Sequence, residues 1–227
     1  MYFDSTMLIL IPGLLLALWA QARIRAAYSK YSKVYAQSGI KAADAASAML
    51  RANGNDVVKV QPVNGTLTDH YDPRNETLGL SKGVYQSTSI AALGIAAHEA
   101  GHAMQKKEDH AMLGLRTAIV PVVNFGSRLS MPIFVLGLIM ALKPLVTVGI
   151  ALFSLTVAFT LITLPVEFDA SRRAIAMLNA GGFITREEEA GVRKVLNAAA
   201  LTYVAAALNA ILQLARLVLL ARGRDRD

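Results

Sequence analysis

Long apolar stretches alternate along this chain with segments of ordinary polarity. Ser5 to Ala22 (STMLILIPGLLLALWAQA) carries no charge. Pro144 to Val166 is likewise uncharged, with Lys143 before it and Glu167 after it. A helix needs roughly 17–25 apolar residues to cross a bilayer core, and both stretches meet that length. Thr117 to Leu142 is apolar except for Arg128. A charge at mid-bilayer costs about 2.5–3.5 kcal/mol on insertion scales, so Arg128 is expected in a polar bundle interior or at an interface. Val195 to Ala215 is Ala-rich and carries Asn197, Asn209 and Gln213. It reads either as a further span or as a buried helix, which makes three to four transmembrane helices in all.

The polar segments show other periods. Gly39 to Ala52 places Ile40, Ala43, Ala46, Met49 and Leu50 near helical spacing, and Asn53-Gly54-Asn55 stops that helix. Val57 to Pro62 and Thr77 to Ser81 alternate like strands, with a turn signal at Asp72-Pro73-Arg74-Asn75. Thr77 to Ser81 suits either a core strand or a sheet edge that pairs with an extended substrate. A further helix is expected to start at Ser87-Thr88-Ser89, a good N-cap cluster, and to run through SIAALGIAAHEAGHAMQKK.

Composition agrees with a bilayer. Of 227 residues, 54% are hydrophobic and 17% charged, against about 25% charged in an average soluble domain. The net charge of +7 flanks the apolar runs instead of forming a basic stripe with aromatics, so no nucleic-acid partner is expected. Arg23, Arg25, Lys30 and Lys33 follow the first span, against Asp4 before it. The positive-inside rule then places the next segment in the cytoplasm, and Arg172 and Arg173 agree. Arg222, Arg224 and Arg226 would lie outside after four spans, against the rule. The first span lacks the basic start of a cleaved signal and is expected to be a retained anchor. With no cysteine in the chain, any metal must be held by His, Asp or Glu.

His98-Glu99-Ala100-Gly101-His102 is an H-E-x-x-H motif on a predicted helix. Residues four apart share a helix face, so both imidazoles can reach one Zn2+ ion at about 2.0–2.1 Å. Glu99 then points beside the ion, where a carboxylate can take a proton from activated water. Two of only four histidines fall at this spacing, which favours a metal site over chance surface histidines. A catalytic zinc needs a third protein ligand. Glu167 is the best candidate, because the chain returns to the same side there after a membrane hairpin; His70, His110 and Asp169 remain alternatives.

The order of elements resembles the membrane gluzincin proteases of the HtpX and CAAX-prenyl-protease group. It is more similar to the YugP-like family of bacterial membrane zinc metallopeptidases. That similarity rests on the N-terminal anchor, Thr68-Asp69-His70-Tyr71-Asp72-Pro73, Gly83-Val84-Tyr85, A-A-H-E-A-G-H at 96–102 and L-P-V-E-F-D-A-S at 164–171. The resemblance implies His98, His102 and Glu167 as zinc ligands and Glu99 as general base. It implies a mainly α membrane protein with a gluzincin-like catalytic part and a small β-sheet. The expected organisation is an anchor over 1–23, a catalytic part over 24–116, a transmembrane hairpin over 117–166, and a second ligand helix with an apolar helix over 167–227.

The wider group's E-x-x-x-D would put an aspartate at 171, where this chain has Ser171. Ser171 shares the face of Glu167 and can orient a ligand; Asp169 is two residues on and points elsewhere. His70, Tyr71, Arg172 and Tyr203 are candidate oxyanion donors. The expected partners are a protein or peptide substrate, membrane proteins included, and the lipid bilayer of the cell membrane. The competing class is a membrane scaffold with a structural or inactive H-E-x-x-H site. An intramembrane protease would need an acid in the Pro144–Val166 span, which has none.

Overall fold

The computed structural model describes residues 5–224. A 3-10 turn, Ser5–Leu10, leads into helix α1, Ile11–Tyr31. Then come α2 (Ala42–Ala52), strands β1 (Lys59–Val63), β2 (His70–Asp72) and β3 (Thr77–Ser81), and the short helix α3 (Lys82–Tyr85). Helices α4 (Ile90–Lys107), α5 (Ala111–Ile139), α6 (Lys143–Ala180) and α7 (Arg186–Arg224) complete the chain. Four helices are long and apolar enough to cross a membrane: Thr6–Tyr31, Ala111–Ile139, Lys143–Ala180 and Arg186–Gly223. The protein is therefore a mainly α, multi-pass membrane protein with one small sheet, and the Ala-rich stretch from Val195 lies in a helix able to span.

Local chemistry explains the helix ends. Gly39 has φ +63° and Gly54 φ +67°, both left-handed, so α2 is confined between them. Ser89 accepts a hydrogen bond from the Ala92 amide at 3.2 Å and caps α4 as expected. Pro144 sits in the first turn of α6, where its missing N–H costs nothing. Gly182 (φ +65°) terminates α6 while the Phe183 amide returns to the Leu178 carbonyl at 3.0 Å. Thr185 and Glu188 form a reciprocal capping box at the start of α7, with Thr185 N to Glu188 Oε2 at 2.9 Å and Glu188 N to Thr185 Oγ1 at 3.3 Å.

The chain divides into two compact units. One comprises the described residues up to Ala20, Gly114–Pro165 and those from Leu201 onward. Here α5 and α6 approach closely at small residues: a Cβ on Gly137 would lie 2.6 Å from the Val146 nitrogen, and one on Gly149 2.7 Å from the Phe134 Cβ. Small residues let membrane helices pack backbone to backbone, where dispersion replaces the hydrophobic effect. Asn209 of α7 donates to the Gly13 carbonyl of α1 at 3.1 Å and to Ala205 O at 2.9 Å. Arg128 is exposed, so it does not face the bundle interior; its long stem suits an interfacial head group.

The other unit comprises Gln21–Leu113 and Val166–Ala200. Its core joins Met49 and Leu50 of α2, Leu78 and Leu80 of β3, Ile90 and Leu93 of α4, Leu178 of α6 and Val192 of α7. Burying each such side chain contributes about 1.5–3 kcal/mol. Alanines line the buried faces of α2 and α4, beside Met49 and Leu50 on the amphipathic α2. The sheet order is β1-β3-β2, with β1 parallel and β2 antiparallel to β3. Thr77–Ser81 is thus the central strand and cannot be an edge for substrate: both its sides are already hydrogen-bonded. An extended peptide joining this sheet must pair with β1 or β2.

Candidate metal centre

Helix α4 is held against the Val166–Ala180 part of α6 by a missing side chain. A Cβ on Gly101 would lie 2.6 Å from the Ala170 carbonyl oxygen, so the two backbones touch between the motif histidines. This contact brings Glu167 to the face of α4 that carries His98 and His102. His98 Nε2 lies 3.2 Å and His102 Nε2 3.5 Å from Glu167 Oε2, and the imidazoles meet edge to face with centroids 4.8 Å apart. Ligand atoms of all three residues fall within 4.8 Å of one another.

Glu167 is buried at 2% exposure, and a carboxylate so placed demands a cation or strong donors. Tetrahedral ligands at zinc distances are separated by about 3.3 Å, from bond lengths near 2.05 Å. The two nitrogen–oxygen separations bracket that figure. Two imidazoles and one carboxylate are also the donor set of a catalytic zinc site. The residues therefore fit the ion.

Burial works against a charged imidazole at His102. Hydrogen bonding to Glu167, the charges of Glu99 and Glu167, and the Gln105 contact outweigh it and raise the pKa above its ordinary value. Two carboxylates, Glu99 and Glu167, thus act on this imidazole from within the cluster. Glu99 is half-buried on α4 beside this cluster.

A second layer holds the imidazoles. His98 Nδ1 is 3.1 Å from Ser171 Oγ, the contact expected from the position of Ser171. His102 Nδ1 is 2.9 Å from Gln105 Oε1. Gln105 is fully buried and donates to Val166 O at 2.8 Å and Asp169 Oδ2 at 3.0 Å. Asp169 therefore reaches the cluster through Gln105, a residue the sequence reading passed over. Its one signal was an amide three residues after His102, on the face of α4 that also carries His98.

The remaining candidates lie elsewhere. His110 Nε2 is 3.7 Å from Asp169 Oδ2, while its Nδ1 is 3.4 Å from the Leu113 amide. His70 is exposed on β2, with Nδ1 donating to Thr68 O at 2.8 Å. The Tyr71 hydroxyl is bound to Glu76, and Arg172 to Asp169. Tyr203 belongs to the first unit described above.

Residues 6–222 match the family described as "Putative neutral zinc metallopeptidase". The chain belongs to this family. It is 49% identical over 218 residues to "Putative membrane protease YugP" of Bacillus subtilis (strain 168), covering 96% of this chain and 97% of that protein. No solved structure gives a significant match. The family description and the His98–His102–Glu167 cluster both point to zinc, and the family points to peptide substrates.

Proposed function

We propose that this protein is a membrane-bound zinc-dependent endopeptidase, with His98, His102 and Glu167 as ligands and Glu99 as general base. The convergence of the three ligand side chains from α4 and α6, with Glu99 beside them, carries this reading. A bound zinc ion supplies Lewis-acid polarisation of the scissile carbonyl and lowers the pKa of water at the site. Glu99 accepts a proton from the attacking water as its oxygen bonds to the carbonyl carbon. The same carboxyl group then returns that proton to the amine as the carbon–nitrogen bond breaks. Ser171 and Gln105 hold the imidazoles in place during this exchange.

The substrate class is protein or peptide, membrane proteins among them. The basic flank of the first span supports a cytoplasmic catalytic part in the bacterial inner membrane. Metal content of detergent-purified protein tests the reading. Near-stoichiometric zinc in the wild type, lost in His98→Ala, His102→Ala and Glu167→Ala, is the expected result. Zinc retained by Glu167→Ala would remove Glu167 from the ligand set. A wild type that takes up no zinc would favour the scaffold class instead.

A further inference from the structure

We propose that Gln105 is a positioning residue that fixes the tautomer of His102 and ties it to α6. The proposal rests on the zinc-site reading above and assigns a role to a side chain outside the ligand set. Gln105 follows His102 by three residues, on the same face of α4. Its amide orientation is determined by its partners. Val166 O, at 2.8 Å, can only accept, so the amide nitrogen must face it. The second amide proton goes to Asp169 Oδ2 at 3.0 Å, a carboxylate also held by Arg172 and by Arg173 Nε at 2.6 Å.

Both amide protons are then used, and Oε1 is left as an acceptor facing His102 Nδ1 at 2.9 Å. His102 must therefore carry its proton on Nδ1. In the neutral ring Nε2 becomes a bare lone pair, 3.5 Å from Glu167 Oε2. A lone pair facing a carboxylate repels it unless a cation lies between them, so this tautomer is the one poised for a metal ion. His98 is placed differently. Its Nδ1 meets the Ser171 hydroxyl, which can donate or accept and selects neither tautomer. The fixed imidazole is His102, and Gln105 fixes it.

The test compares wild type, Gln105→Met and the double variant Gln105→Glu with Asp169→Asn, all full-length in detergent. Zinc affinity is read by competition with a chromophoric chelator, and ligand geometry by the absorption of the cobalt-loaded protein. Thermal unfolding of the metal-free protein is followed alongside. Gln105→Met should weaken zinc about 10–100-fold and shift the cobalt spectrum. In the double variant the new carboxylate again accepts from His102 Nδ1–H and the new amide donates to it, so affinity should recover above that of Gln105→Met. Both variants leave Val166 O without its donor, and Asp169→Asn alone, measured beside them, accounts for the carboxylate that the double variant takes from Arg172 and Arg173.

A purely structural role for Gln105 would lower metal-free stability in both variants without separating their zinc affinities. Unchanged zinc binding in Gln105→Met, or equal weakening in both variants, overturns the proposal while the zinc site stands. If Gln105→Met does not fold, zinc binding near wild type in the double variant supports the proposal, and strong weakening there overturns it. A wild type without zinc affinity, matching His102→Ala, removes the zinc site itself.

Discussion

The alpha carbon of Gly101 faces the carbonyl oxygen of Ala170 so closely that a Cβ would stand 2.6 Å from it. The obstacle is backbone, not the end of a flexible side chain, so it cannot rotate away. Gly101→Ala should push α4 from α6 and separate the motif histidines from Glu167. Overpacking of this kind costs about 1–3 kcal/mol. A lowered unfolding temperature with weakened zinc binding is expected. Wild-type values for both would show that the helices are not in contact there.

Glu99→Gln keeps the size of the side chain and removes its capacity to take a proton. Hydrolysis should fall by about 10²- to 10⁴-fold, the usual contribution of general acid–base catalysis. Zinc content should stay at the wild-type level, because Glu99 is not in the ligand cluster. A protease assay beside metal analysis on one preparation separates the two effects.

Glu76, just before β3, links Tyr71 of β2 to Lys106 of α4 and gives stability a pH dependence. Its pKa lies below the ordinary 4.5, first through the hydrogen bond from Lys106 and then through that from Tyr71. A depressed folded value favours the ionised state, so this contribution is complete above about pH 4.5 and fades as pH falls through the folded value. The Tyr71 phenol shifts upward from 10.0, first by burial and then by its bond to Glu76. Its contribution is complete below about pH 10 and fades above that. Glu76→Gln should flatten the acid limb of a stability profile and Tyr71→Phe the alkaline limb. Both changes should be modest, because Glu76 and Lys106 are partly exposed.

In the other unit, Asn209→Leu should weaken the pairing of α1 with α7 by about 0.6–2 kcal/mol, the range for polar contacts between membrane helices. Gly13→Val should cost at least as much, since a Cβ at Gly13 would lie 2.3 Å from Asn209 Oδ1 and would turn that side chain away from the Gly13 carbonyl. Resistance to unfolding in graded detergent denaturant measures both. An order in which Asn209→Leu is the more damaging would show that hydrogen bonding outweighs close packing there.

The parts legible in the sequence have short-range causes. Uncharged runs announced the spans, Ser89 the start of α4, and the spacing of His98 and His102 their common face. Glu167 could be put first because it is the first acid where the chain returns after the uncharged run, although Asp169 returns with it. Gln105 and the Gly101–Ala170 contact were not legible. Each depends on which turn of α6 meets α4, and residue spacing within one helix carries no information about that meeting. The central place of β3 was hidden for a similar reason. A five-residue alternating run looks the same at an edge as in the middle, and only the pairing partners β1 and β2 distinguish them.

The cluster draws its side chains from two stretches of chain, with α5 and the apolar beginning of α6 between them. During synthesis His98, Glu99 and His102 emerge well before Glu167, which follows only after the hairpin has been made. On the ligand set proposed above, a nascent chain carries a two-histidine half-site until α6 has folded back beside α4. Order of translation would then act as a safeguard: the unfinished protein would lack its third ligand while its own loops, and those of neighbouring nascent chains, are still unprotected.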